Sequence, residues 1–193
     1  MRQDYSEGVI NLALTQQQIE NIQIDYGIVY INYGGADAAQ LGPTRGGGEF
    51  VATATIRDIE YDGSKGKTKG MQVVDDITAQ LNVTSLNASL ESLKLALPYA
   101  KYDQTPETLT VDKDCLGIIP DGAYLNNITM FAKTVKGEYK KITLYNAMSE
   151  NGLTFAAAPK AEGTIALNVY AHWDAVDDTT KLFEVKDVGG IDE

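Results

Sequence analysis

The sequence is poor in the residues that many enzymes and metal proteins depend on. It has one cysteine, Cys115, and one histidine, His172, in 193 residues. A single cysteine forbids an intrachain disulfide and a cysteine-based zinc site. A single histidine forbids a multi-histidine metal centre, and any Ser-His-Asp or Cys-His arrangement would hang on that one imidazole. Arginine is scarce too, with Arg2, Arg45 and Arg57 the whole set. Sixteen basic residues face 27 acidic ones, a formal charge of −11. A chain of that balance does not capture nucleic acid by broad phosphate neutralisation. Nor does it suit an anionic membrane surface, and no membrane partner is expected. No stretch approaches the roughly 18 apolar residues of a membrane span. Residues 1–8 lack an apolar core of signal-peptide length, so synthesis in a reducing cytosol is expected. The glycosylation-type tripeptides at Asn82, Asn87 and Asn127 then read as chance.

What is present reads as β structure around a real core, since 44% of the residues are hydrophobic and 22% charged. Residues 27–33 are a β-branched and aromatic run ended by Gly34 and Gly35, hence a strand. Thr15 with Gln18 matches a capping box that would start a turn or two of helix. Residues 34–48 are glycine-rich and are expected to form a long loop with no regular element. Residues 50–61 and 71–84 read as two long strands. In the first, Phe50, Ala52, Ala54 and Ile56 oppose Thr53, Thr55 and Arg57. In the second, Ile77, Ala79, Leu81 and Val83 oppose Thr78, Gln80, Asn82 and Thr84. Residues 62–70 join them as a long hairpin. Asp58, Glu60, Asp75 and Asp76 break the apolar alternation near its tip, so the hairpin is expected to project beyond the core.

One helix is expected over residues 87–97. Asn87 would cap it, Leu86, Leu90, Leu93 and Leu97 follow its period, and Pro98 stops it. Residues 99–122 read as irregular. Residues 125–135 and 139–147 form a hairpin around Lys136-Gly137-Glu138. Over residues 163–173, Ile165, Leu167, Val169, Ala171 and Trp173 alternate with Ala166, Asn168, Tyr170 and His172. Residues 181–186 read as a short edge strand in a docking tail. The sum is a mainly β protein, a sandwich or barrel with one helix packed outside, a long hairpin and extended terminal arms. As a single domain, it divides into an N-terminal arm (1–24), a β core (25–173) and a C-terminal arm (174–193).

Candidate chemistry is thin. His172 shares its strand face with Asn168 and Tyr170 and lies near Asp174, but no Gly-x-Ser-x-Gly elbow accompanies it. Asp112 and Asp114 beside Cys115 disfavour a thiolate. Gly46-Gly47-Gly48 lacks the Gly-Lys-Ser/Thr ending of a phosphate loop, and Gly63-Ser64-Lys65-Gly66-Lys67 precedes a strand and not a helix. Asp75-Asp76, Asp112/Asp114 and Asp177-Asp178 lack calcium-loop spacing. No catalytic residue, cofactor or metal is therefore expected. The hairpin tip holds Lys65, Lys67 and Lys69 against Asp62, a local excess of positive charge. A solvated turn and a contact with an acidic surface on another copy are both open readings.

Three segments carry a resemblance: Asp25-Tyr26-Gly27-Ile28-Val29-Tyr30-Ile31-Asn32-Tyr33-Gly34, then Leu41-Gly42-Pro43-Thr44-Arg45-Gly46-Gly47, then Ile59-Glu60-Tyr61-Asp62-Gly63 with Gly66-Lys67-Thr68-Lys69-Gly70. Together with Glu91 to Pro98, they resemble the major tail, or tail tube, protein of long-tailed, siphovirus-type bacteriophages over roughly residues 20–173. The resemblance implies hexameric rings stacked into a hollow tube, with a shared inner barrel. It implies inter-ring contacts through the hairpin: Arg57, Asp58, Glu60, Asp62, Lys65, Lys67, Lys69, Asp75 and Asp76. It implies loop contacts through Leu41, Pro43 and Arg45. The implied partners are further copies of the chain and other tail proteins (tape measure, distal tail, terminator). Double-stranded DNA would pass through during ejection without specific binding. The implied location is the virion tail, assembled in the host bacterial cytoplasm, and no enzymatic activity is implied. Another non-enzymatic virion part stays open as an alternative: a terminator, decoration or pilin-like binding module. The charge then takes on a second meaning, because acidic walls repel phosphates and let a duplex slide. A predominantly negative channel is expected.

Overall fold

Alternation of apolar and polar residues builds ten strands among the described residues, which are 13–25, 27–63, 66–154 and 162–191 of a computed structural model. In chain order they are β1 (Ile28–Ile31), β2 (Ala39–Gln40), β3 (Thr44–Asp58), β4 (Gln72–Ser85), β5 (Lys101–Gln104), β6 (Glu107–Thr110), β7 (Leu125–Lys133), β8 (Tyr139–Ser149), β9 (Ile165–Tyr170) and β10 (Phe183–Val188). Two α-helices accompany them, α1 (Gln16–Glu20) and α2 (Leu90–Ala96). The protein is thus mainly β, as its sequence implies. The main sheet runs β2-β1-β7-β8-β9-β4-β3, with β10 also on β8, and every pairing is antiparallel.

β8 turns one sheet into two layers. Residues 139–144 pair with β7 and β10, whereas Met148 and Ser149 pair with β9. Between them Asn146 takes φ 46°, the left-handed conformation that asparagine tolerates. β1, β7 and β10 therefore face β3, β4 and β9 across a core of Val29, Leu81, Ile128, Leu144, Ile165 and Leu167, each at most 2% exposed. The rings of Phe50 and Phe183 bridge β3 and β10 at 5.2 Å. Met130 occupies the space above Gly48, where an added Cβ would stand 2.7 Å from its sulfur. A side chain there would displace core atoms.

The structure corrects several expectations. Residues 34–48 are not an unstructured loop. β2 lies within them, and β3 starts at Thr44 and passes through the glycines as a bulge between Arg45 and Gly48. Gly46 and Gly47 both take φ 75°, which glycine adopts without strain. α2 begins two residues later than expected. Asn87 spends its side-chain oxygen on the Ser89 amide at 3.1 Å, so Ser89 becomes the cap and accepts from the Ser92 amide at 3.2 Å. The buried positions of α2 are Ser92 and Ala96, with Leu93 and Leu95 partly covered against the core. Ser89→Ala should cost about 1 kcal/mol. A thermal melt should then show a Tm lower by roughly 2–4 °C.

Residues 99–122 are also more regular than expected. β5 and β6 pair as a small hairpin, followed by single 3-10 turns at Lys113–Cys115 and Asp121–Ala123. Lys101 holds this region through Asp112 at 2.8 Å and Asp114 at 3.0 Å. Those hydrogen bonds, Asp112 first, raise the ammonium's pKa. The two arms are partly docked. Ile24 donates to Lys133 O and Val135 to Ile22 O, beside the end of β7. β10 lies along β8 with Leu182 buried. The remainder of each arm, residues 1–12 and 192–193, lies outside the described residues.

Candidate assembly interface

The β3–β4 hairpin is the element that leaves the core. Over residues 79–85 of β4, every second residue is buried, but residues 72–78 and 52–58 are all exposed. Pairing continues all the way out to Asp58 opposite Gln72, so the exposed part is an ordered arm. The seven residues from Ala52 to Asp58, six steps of ladder, span about 20 Å.

The arm's two faces differ. One carries Thr53 and Thr78, whose hydroxyls lie 2.7 Å apart, then Thr55 opposite Asp76. It ends in Arg57, which donates to both Asp75 oxygens at 2.8 and 3.2 Å. The hydrogen bond to Asp75 raises the Arg57 pKa. The other face continues the core face outward. Phe50 pairs with Leu81, Ala52 with Ala79, Ala54 with Ile77 and Ile56 with Val74. Leu81 is fully buried, yet Ile77, Val74 and Ile56 are 39%, 53% and 57% exposed. No second layer covers them among the described residues.

The residues expected from sequence fall into three groups. Arg57, Asp75, Asp58 and Gln72 close on one another, with Gln72 Nε2 donating to Asp58 at 2.8 Å. Asp76 faces Thr55, while Glu60, Asp62, Lys67 and Lys69 stand exposed towards the arm's end. Lys65 lies outside the described residues. At the opposite end of the ladder, Pro43 accepts from the Leu86 amide at 2.9 Å, and Arg45 pairs with Glu162. Leu41 does not fit the expected loop contact. It is 3% exposed and belongs to the core, because its amide bonds Val29 O and draws the side chain inward.

His172 pins the corner of β8. Its Nδ1 lies 2.9 Å from Asn146 O, its Nε2 3.0 Å from Glu150 Oε1, and Asn146 Nδ2 donates to His172 O at 3.3 Å. A neutral imidazole has one N–H, so it donates to one of these two acceptors, the Asn146 carbonyl or the Glu150 carboxylate, according to its tautomer. Cys115 directs its thiol to Asp112 Oδ1 at 3.6 Å. Among the described residues, no group of three His, Cys, Asp or Glu side chains is arranged to hold a metal, and no helix is long and apolar enough to cross a membrane.

Sequence reasoning singled out the charged residues of the arm and missed Ile56, Val74 and Ile77 as a continuous face. The cause is a bulge. Thr55 pairs with Asp76 but Ile56 pairs with Val74, so Asp75 is an extra residue and the parity of β4 changes there. Counted by twos from Ile77, Val74 belongs to the wrong face.

No family model matches the sequence, and no curated protein matches it. Among solved structures, a chain in the virion of a native gene transfer agent particle is similar, with 9% identity and a TM-score of 0.44. The match covers 77% of this chain and 92% of that one. A chain in the C6-symmetric tail of an empty gene transfer agent particle is similar with 11% identity and a TM-score of 0.43, over 76% of this chain and 91% of that one.

Proposed function

We propose that the chain is a structural, self-assembling subunit of a phage tail tube, forming stacked and hexameric rings. The observation that carries this reading is the β3–β4 arm. Among the described residues it presents an uncovered apolar face and, along β3, an unpaired strand edge of 15 residues. Natural edges are usually short or blunted by lysine, proline or β-bulges. β3 is long and holds no lysine or proline, and the bulges of this hairpin, at Arg45–Gly48 and at Asp75, leave residues 49–55 between them in regular register. Pairing with another copy removes the edge, and a rotation that closes gives a ring. The ring number and the tail setting come from the sequence resemblance.

The outer face of β3, β4 and β9 suits a wall past which DNA slides. The three strands contain no lysine. Two arginines stand on them, and both are closed on acids, Arg45 on Glu162 and Arg57 on Asp75. The rest is largely threonine, asparagine and glutamine. On this reading the lumen does not hold phosphate. Thr53→Lys combined with Gln80→Lys should make assembled tubes retain double-stranded DNA in a gel-shift assay, with retention lost as salt is raised. Wild-type tubes should retain none at the same salt.

Sedimentation velocity of the purified chain tests the reading directly. The expected result is a species of six times 20.9 kDa, and larger multiples, growing with concentration. A 20.9 kDa species alone at every concentration contradicts it. Ring-sized species that never grow longer would instead point to a terminator-like part.

A further inference from the structure

A groove of about 440 Å³ opens at the foot of the arm, lined by Tyr124, Trp173 and Val176 together with Asp121 and Asp174. Ala171 donates to Ala79 O at the base of the arm, and His172 then donates to Tyr145 O on β8, so the segment that carries Trp173 leaves β4 there. Trp173 is 57% and Val176 96% exposed, an unusual exposure for apolar side chains sharing one groove. Among the described residues no arginine or lysine lines it, and His172, which does, lies 3.0 Å from Glu150 Oε1. Asp174 Oδ1 accepts from the Val176 and Asp177 amides at 2.8 and 3.1 Å, which leaves its second oxygen free of those bonds. No ion pair involves Asp121 or Asp174 among the described residues. Aromatic walls with acids beside them suit an ammonium on an apolar stem.

The same chain carries such a group. Lys67 and Lys69 are exposed at the tip and make no ion pair among the described residues. Lys101, Lys136, Lys140 and Lys181 each have an acidic partner, whereas Lys113, Lys133 and Lys186, away from the tip, make no ion pair among the described residues either. Tyr61, 47% exposed, stands beside the tip. The tip cannot reach its own groove. From Ile77 to Met71 the ladder runs about 20 Å away from it, and its pairs hold it straight to Asp58 and Gln72.

We infer that the Trp173–Val176 groove receives the hairpin tip of a second copy, with Lys67 and Lys69 meeting Asp121 and Asp174 and Tyr61 meeting Trp173. This rests on the self-assembly reading and names the contact within it. Tip and groove are different surfaces, so the contact is heterologous; made between successive rings it does not close, and it extends a filament.

The test is zero-length carbodiimide crosslinking of the assembled wild-type chain, read by mass spectrometry, alongside two variants. One is Lys67→Glu with Lys69→Glu. The other is Asp121→Lys with Asp174→Asn, which keeps an oxygen for the local amides. Crosslinks should join Lys67 or Lys69 to Asp121 or Asp174 between copies. Each variant should raise the critical concentration for assembly at least tenfold, and high salt should do the same to the wild type. Wild-type tubes whose tip lysines crosslink only elsewhere, or folded variants that assemble as well as the wild type, overturn the groove contact alone. A wild-type chain that stays monomeric overturns the assembly reading with it. The crosslink decides the matter even where a variant fails to fold.

Discussion

Ile56→Asp combined with Val74→Asp gives a folded monomer that no longer assembles. Both side chains are more than half exposed, so the core's packing is untouched. The two carboxylates face each other across the ladder and repel by up to about 1 kcal/mol, which lowers the monomer's Tm by only a few degrees. Assembly is different. A second layer laid on this face would bury two carboxylates per subunit without partners, at several kcal/mol each. Association should weaken by at least about a thousandfold. Light scattering reads the loss, and circular dichroism shows that the fold is intact. Assembly at wild-type concentrations would mean that the apolar face is not an interface.

Leu81→Ala has the opposite signature. Leu81 lies on the same face of the same hairpin, opposite Phe50, but it is fully buried in the core. Truncation should cost about 2–5 kcal/mol, with a Tm lower by roughly 5–15 °C. Assembly should then fail through unfolding, and lowering the temperature should restore it. The contrast between Leu81 and Ile56 separates the covered part of one strand face from the uncovered part. A thermal melt of each variant is the check.

Much of this fold was legible in the sequence because period-2 alternation depends only on which residues are buried. Ile165, Leu167 and Val169 gave β9, and Ala79, Leu81 and Val83 gave the inner half of β4. The capping box at Thr15 was legible too, since its two bonds, Thr15 N to Gln18 Oε1 at 2.8 Å and Gln18 N to Thr15 Oγ1 at 3.2 Å, are local. Where reading failed, a non-local or backbone effect intervened. The glycines of residues 46–48 suggested a loop, but a strand can carry them when a bulge absorbs their positive φ and Met130 fills the space beside Gly48. The helix start moved because Asn87 and Ser89 both can cap, and Asn87 was engaged by the Ser89 amide. Leu41 read as a loop contact because its neighbours are glycine and proline, although packing draws it inside.

The candidate interface was half legible. That a long hairpin projects followed from Asp58, Glu60, Asp75 and Asp76. Which face needs a partner did not follow, because the one-residue bulge at Asp75 reverses the parity on which the faces are assigned. Trp173 carried a signal as the outermost member of an apolar alternation, but β9 ends at Tyr170 and His172 turns to β8, so Trp173 lies outside the strand. His172 stood in the sequence without a catalytic motif around it, and its contact with Asn146 depends on a left-handed residue that sequence pattern does not reveal.

Negative-stain electron microscopy of the purified wild-type chain at high concentration tests the central claim most directly. Hollow tubes of stacked rings, with six subunits to a ring, are the expected result. A field of separate 20.9 kDa particles, with no rings or tubes even when tail initiation proteins are added, would contradict it.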